Sequence, residues 1–376
     1  MEELWLEDST LREGEQSPGV SFSIEEKVNI AKQLDAIGVT AIEVGTPIMG
    51  GMEKEAIKKI VDLNLNSRII CWNRGKKEDI DSSISVGATS IHIGLPTSDN
   101  HLKEKFKKDR KWLIDTMKEL VQYAKSKNLW VSVSAEDCGR TDIDFLKEYI
   151  IEVNKAGADR IRCSDTVGVL DPFSSYNLFK EVTSVSDIPI MAHMHNDFGL
   201  ATANTLAAIN GGAKHVHFTV NGLGERSGIA PMDEIILNVL YKFKLNSLKT
   251  SKLKELAEYV AFCSKRKIPE NKPVTGDMMF AHESGIHVDG VLKISDAFEP
   301  YPPELVGGER KIIIGKHSGS NAIKYVLEKN SISYSNNLIS EVLAEVRTLA
   351  ITYKRNLTEN EVIDTYYKFS KEHNNG

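Results

Sequence analysis

Residues 191–197 read Met-Ala-His-Met-His-Asn-Asp, two histidines two apart, entered through the apolar run Ile188-Pro189-Ile190-Met191. Alternate residues of a strand point to the same side, with Cβ atoms roughly 7 Å apart, so His193 and His195 can converge on one point. Leu200 to Ile209, after Phe198-Gly199, carries the helical pattern Ala201, Ala203, Leu206, Ala207, Ile209, which places the pair where a strand hands over to a helix. A single histidine there is more often a core residue donating to a carbonyl. A same-face pair followed by Asn196 and Asp197 favours metal ligation, because imidazole is the commonest nitrogen ligand and a ligating ring needs an acceptor behind it.

Such a pair needs a frame, and the first two thirds of the chain supply one. Strands are expected at 4–10, 41–47, 68–72, 90–96, 130–136, 160–166, 188–196 and 215–220, separated by amphipathic segments. In residues 23–38, for example, Ile24, Val28, Ile30, Ala31, Leu34 and Ile37 form one stripe. Glycines recur just before strands, in 36–39, 86–88, 156–158 and 211–213, as expected where a helix ends. Eight βα units predict a (β/α)8 TIM barrel, whose chemistry gathers at the C-terminal strand ends. Polar residues do cluster there: Asp8 to Gln16, Ser134 and Glu136, Asp165-Thr166, the histidine pair, and Asn221 to Arg226. Chance scatter would not collect unlike polar groups on one rim.

The barrel is expected to occupy residues 1–245. Residues 246–376 are expected to form a mainly helical C-terminal extension, with helices at 250–267, 318–331, 336–353 and 358–371 and irregular chain over 268–316. His-Glu-Ser-Gly-Ile-His-Val-Asp-Gly (282–290) and Ile-Ile-Ile-Gly-Lys-His-Ser-Gly (312–319) are too polar and glycine-marked for packing alone. They suggest a lid over the barrel mouth, a dimerisation region, or both.

Composition is that of a globular chain, 41% hydrophobic and 27% charged, with a net charge of −6. No basic cluster interleaved with aromatics points to nucleic acid. The four cysteines are scattered without a C-x-x-C pair, which indicates neither a disulfide framework nor a thiolate zinc site. The acidic start MEELWLEDST lacks the marks of a signal peptide, and no segment has the apolar length to span a bilayer. A cytoplasmic protein is expected.

Four signatures stand in order: DSTLREGEQ (8–16), AHMHND (192–197), NGLGERSG (221–228) and HESGIHVDG (282–290). Together they resemble the acyl-CoA-dependent Claisen condensing enzymes that include 2-isopropylmalate, citramalate and homocitrate synthases. Within that family the chain is most similar to the nitrogen-fixation branch of the homocitrate synthases, through EVGTPIMG, DFGLATANTLAA, HESGIHVDGVLK and the late IIIGKHSG, with no room for a separate regulatory domain. The resemblance implies condensation of acetyl-CoA with 2-oxoglutarate and water to homocitrate and CoA. It assigns a divalent metal (zinc, manganese or magnesium) to Glu13, His193 and His195. Arg12 would face the ketone oxygen, Thr166 the C1 carboxylate, and Glu136 and His287 the acetyl methyl proton, with Gln16, Trp72 and Ser134 lining the site. A homodimer with lid residues shared between chains is the implied assembly.

The departures are specific. Ile229 stands where some members carry an asparagine as a further metal ligand, so no fourth protein ligand is expected. Phe298 replaces a tyrosine, with Tyr301 three residues on. Lysine-pathway homocitrate synthases hold the distal carboxylate with a histidine and an arginine at positions filled here by Trp72 and Ser132. A dicarboxylate then requires another donor, with Ser132, Ser134, His92, Asn73 and Arg74 as candidates. The same chemistry on oxaloacetate, pyruvate or 2-oxoisovalerate is the near alternative. A metal-dependent acyl-CoA lyase or aldolase is the more distant one.

Overall fold

The computed structural model describes residues 4–243, 248–294 and 297–374. Eight parallel strands close into a barrel in sequence order: β1 (Trp5–Asp8), β2 (Ala41–Gly45), β3 (Arg68–Arg74), β4 (Ser90–Gly94), β5 (Trp130–Glu136), β6 (Arg160–Asp165), β7 (Ile190–Met194) and β8 (His215–Phe218). Each is followed by a helix: α1 (Ile24–Ile37), α2 (Gly51–Asp62), α3 (Lys77–Ser85), α4 (Arg110–Ser126), α5 (Ile143–Lys155), α6 (Pro172–Thr183), α7 (Ala201–Asn210) and α8 (Met232–Phe243). The TIM-barrel expectation thus holds, strand for strand. Every residue of β2, β4, β6, β7 and β8 is buried, as a parallel sheet covered on both faces requires.

Local chemistry sets the element ends. Ser23 and Glu26 form a reciprocal capping box on α1. The pre-strand glycines Gly38, Gly87, Gly157 and Gly212 have φ of 99°, 84°, 98° and 109°, values that let a helix stop and the chain turn into the next strand. One detail of the α1 stripe differs from expectation: Val28 is half-buried, while Lys27 is buried and its ammonium pairs with Glu15 and Glu53.

The chain divides into two compact units, Met1–Ile268 and Pro269–Gly376. The boundary expected at 245–246 lies outside the described residues. The first unit runs further because α9 (Leu253–Ser264) buries Leu253, Leu256, Ala257 and Val260 within it, against α1. In the second unit, α10 (Gly285–Lys293), α11 (Ser320–Lys329), α12 (Ile339–Tyr353) and α13 (Glu359–Asn374) surround a core of Val288, Val326, Val342, Val346 and Val362. A two-stranded parallel pair, β9 (Ala281–His282) and β10 (Lys311–Ile312), adjoins them. The helix α10 falls in a stretch expected to be irregular, since its two glycines and polar residues mask an inward face made only of Val288 and Val291. No helix among the described residues is long and apolar enough to cross a membrane.

Asp8, the last residue of β1, has a pH consequence. Its carboxylate accepts from the Thr10 N–H at 2.7 Å and the Thr10 hydroxyl at 3.0 Å, yet burial outweighs these bonds and pushes its pKa up to about 7. The folded chain therefore keeps a proton that the unfolded chain loses near pH 4. Stability should fall as pH rises through that window, by about 4 kcal/mol at full ionisation. Asp8→Asn is expected to flatten this decline in denaturant midpoints measured from pH 5 to pH 8; an unchanged slope would contradict it.

Candidate active site

TIM-barrel interiors are usually filled with branched aliphatic residues. Here the inward positions carry Glu7 (β1), Glu43 (β2), His92 (β4), Ser132 and Ser134 (β5), Arg160 and Arg162 (β6) and His217 (β8), all buried. They are satisfied mainly by one another. Arg160 forks onto Glu7 and gives Nε to Ser132 Oγ at 3.0 Å. Glu43 accepts from Ser9 Oγ at 2.7 Å, Arg12 Nε at 2.6 Å and Arg162 Nη1 at 2.8 Å. Burial alone would raise the Glu43 carboxyl, but Arg12 and Arg162 hold it well below the usual carboxylate range.

Above this layer, Glu13, His193 and His195 bring one carboxylate oxygen and two imidazole nitrogens within 4.8 Å of one another. The Nε2 atoms of the two histidines stand 3.2 Å apart, two lone-pair positions aimed at one point. Burial lowers the pKa of both rings, leaving them neutral and fit to ligate. One carboxylate and two imidazoles suit a divalent cation with open positions. Ile229 pairs with His195 through an isolated antiparallel bridge and is fully buried, so it adds no ligand.

Behind the pair, His193 Nδ1 lies 2.6 Å from His217 Nδ1. If His193 turns a bare Nε2 toward a cation, its proton sits on Nδ1 and is donated to His217. The His217 proton then falls on Nε2, which faces Glu7 at 3.4 Å and Glu43 at 3.6 Å. Glu7, Glu43 and His217 also lie close enough to hold an ion. Both carboxylates, however, are already bound by guanidinium groups, whose charge repels a dication.

Arg12, Glu13, Gln16, Trp72, Ser134, Glu136, Thr166, His193 and His195 all line one cavity of about 560 Å3. The guanidinium of Arg12 gives Nη1 to Glu13 at 2.5 Å and to Gln16 at 3.4 Å, and sits 5.8 Å from the Trp72 ring centroid. Thr166 Oγ1 accepts the Asp137 N–H at 2.8 Å, while among the described residues its own proton has only a 3.5 Å contact with the Ser164 carbonyl. The Glu136 carboxylate makes no hydrogen bond among the described residues, and burial raises its pKa against the pull of Arg162, Lys105 and Arg12. Gly94 leaves it room: a Cβ there would stand 2.7 Å from Glu136 Oε1 and 2.6 Å from the Trp72 ring. His287 belongs to the second unit, on α10, where it stacks on Phe298 with ring centroids 4.2 Å apart. Tyr301 meets Phe280 edge-on at 5.7 Å.

The glycine-rich motif after β8 fastens the rim. Arg226 grips Asp197 at 2.7 and 2.9 Å and the Thr166 carbonyl at 2.8 Å, and Asn196 N–H donates to the Gly228 carbonyl. The proposed substitutes for a missing distal arginine are largely consumed elsewhere. His92 uses both ring nitrogens on Ser132 and Ser134 at 2.9 Å, Asn73 serves two carbonyls and Ser83, and Arg74 forks onto Asp79. The residues that pattern reading missed are Glu43, Arg162, Lys105, Phe106, Trp112 and His217. A signal existed for two of them, because His215-Val-His217 and Arg160-Ile-Arg162 repeat the two-residue spacing of His193 and His195.

A family model described as HMGL-like matches residues 3–260, and one described as homocitrate synthase post-HMGL domain-like matches residues 274–354. The chain is 46% identical to the 2-phosphonomethylmalate synthase of Streptomyces rubellomurinus, over 97% of this chain and 98% of that one. It is 45% identical to 2-isopropylmalate synthase 2 of Caldanaerobacter subterraneus, over 96% and 95%, and 42% identical to homocitrate synthase 1 of a Nostoc species, over 97% of each. Among solved structures, the HMG-CoA lyase of Bacillus subtilis superposes with a TM-score of 0.64 at 18% identity, covering 72% of this chain and 96% of that one. That last likeness concerns the barrel fold alone.

Proposed function

This chain belongs to the HMGL-like family that includes the isopropylmalate, homocitrate and citramalate synthases, and from that premise we propose that it condenses acetyl-CoA with 2-oxoglutarate and water to give homocitrate and CoA. Acyl-CoA-dependent Claisen condensation on a 2-oxo acid is the level at which its relatives agree; the acceptor is our reading. What carries it is the cavity in which Arg12, Glu136 and Thr166 surround the converging Glu13, His193 and His195.

Glu13, His193 and His195 are the metal ligands in this reading, for zinc, manganese or magnesium. Such an ion, when bound, supplies Lewis-acid polarisation of the ketone. Arg12 adds a fixed positive charge for the oxygen on which negative charge develops as the new carbon–carbon bond forms. Thr166 donates its loosely held proton to the C1 carboxylate. Gln16, Ser134 and Trp72 shape the walls. Glu136 accepts the proton leaving the acetyl methyl carbon, for which an unbonded carboxylate of raised pKa is suited. By the resemblance, His287 joins this proton handling, supplied by a lid shared in a cytoplasmic homodimer. Water then cleaves the thioester, and CoA leaves.

The test is CoA release from acetyl-CoA across a panel of 2-oxo acids, with product identified by mass. Homocitrate from 2-oxoglutarate at the highest kcat/KM supports the reading; preference for pyruvate or 2-oxoisovalerate would replace its acceptor. The barrel shared with HMG-CoA lyases makes a lyase the second reading, and cleavage of a hydroxyacyl-CoA without a second substrate would favour it.

A further inference from the structure

Arg162, on the wall of the cavity, has no part in the chemistry just assigned. Arg160, Arg162 and Ser164 alternate along β6 and share its inward face. Ser164 pairs in register with His193, and Arg162, two residues deeper, pairs with Ser134. Arg162 is only 2% exposed, yet it lines the cavity. Its Nη1 donates to Glu43 Oε1 at 2.8 Å, while its Nε is buried with no hydrogen-bond partner among the described residues. Glu43 is a shared counter-ion, since its other oxygen serves Arg12 and Ser9. Glu136 also faces Arg162, but no hydrogen bond joins them among the described residues.

A buried guanidinium with an unmade bond is costly unless something fills the place. The other donors near this wall are taken: both nitrogens of His92 by Ser132 and Ser134, and Arg74 by Asp79. Lys105 also lines the cavity, is exposed, and has no ion pair among the described residues. Arg162 and Lys105 add to the positive charge that Arg12 brings to the cavity wall, which favours an anion there.

We propose that Arg162 is the specificity-determining residue of a second anion subsite, so that the acceptor is a 2-oxo acid bearing a carboxylate or phosphonate at its far end and not an alkyl chain. The inference rests on the proposed condensation at this site and narrows its substrate class. Planar guanidinium donors match either anion through charge-assisted bonds. The strand-five arginine missing at Ser132 is replaced from the neighbouring strand.

The experiment uses the full-length, metal-loaded enzyme and reads kcat/KM for CoA release. 2-Oxoglutarate, oxaloacetate and 3-phosphonopyruvate are compared with 2-oxopentanoate and 2-oxoisovalerate; the first three separate carboxylate from phosphonate. The best anionic-ended acid is expected to exceed the neutral-ended ones by about 100-fold or more, and Arg162→Met to cut that ratio about 30-fold or more, as loss of one partner of a buried charge pair implies. Arg162→Lys should recover part of it. An unchanged ratio in Arg162→Met overturns the assignment. Should that variant fail to fold, the natural enzyme decides: 2-oxoglutarate should be favoured over its 5-methyl ester by a similar factor, and equal rates overturn the subsite. Turnover of neutral-ended acids alone would sink the subsite and leave the condensation standing, whereas no CoA release with any acid would sink the condensation itself.

Discussion

Replacing His193 with alanine is expected to yield a folded protein that retains no metal and releases CoA no faster than background. His193 contributes one of two nitrogens in a set of three converging groups, and the residue bridged to His195 is the apolar Ile229, which offers no ligand. Lewis-acid activation of a carbonyl is worth several kcal/mol, so the loss in turnover should be roughly a thousandfold or greater. Metal content per chain, measured by elemental analysis beside the rate, checks both halves. A His193→Ala protein that keeps full metal, or a natural enzyme untouched by chelation, would remove the metal role. A graded companion separates ligation from positioning. His217 touches the ligand and not the cavity, lying 2.6 Å behind His193. His217→Ala should weaken metal affinity about 10- to 100-fold in chelator competition. His217→Asn, which retains an acceptor, should recover much of it. Equal affinity in His217→Ala would show that His217 positions nothing.

The fold and half of the site could be read from the chain for the same reason: both depend on short-range periodicity. Strands buried on both faces and glycines at helix ends leave local marks, and all eight strands fall where those marks place them. The histidine pair was legible because residues two apart in extended chain need no tertiary knowledge to face one way. What stayed hidden depends on closure of the barrel. Glu43 becomes the hub for Arg12 and Arg162 only when β1, β2 and β6 curve to a common interior; the sequence separation from Glu43 to Arg162 exceeds anything a pattern can join. His217 shares a two-residue spacing with His215, but its partner shows only once β7 and β8 pair and turn it onto His193. The first unit continues past the end of the βα rhythm, since α9 is an added helix packed on it without a strand of its own. The candidates named to replace the distal arginine lie on β3, β4 and β5, not on the β6 strand that carries Arg162. Their hydrogen bonds to one another were the part a sequence does not display.

Glu136→Gln should separate binding from proton transfer. The substitution keeps the side chain's volume beside Trp72 and Gly94, where a single added carbon would collide, and leaves Glu13, His193, His195, Arg12 and Thr166 in place. Binding of the 2-oxo acid should therefore persist in calorimetry. CoA release should fall by about 10^2- to 10^4-fold, the range ascribed to a positioned general base. The pH profile supplies a second check with a definite sign. A base works deprotonated, and burial raises the Glu136 pKa, with Arg162, Lys105 and Arg12 opposing but not cancelling it. The rate of the natural enzyme should thus rise with pH through a limb above the ordinary carboxylate range, and that limb should vanish from whatever rate Glu136→Gln retains. A normal rate in the variant would take Glu136 out of the proton-handling set. Loss of 2-oxo acid binding together with the rate would instead make its carboxylate a binding group, and the methyl proton would have to leave by another route.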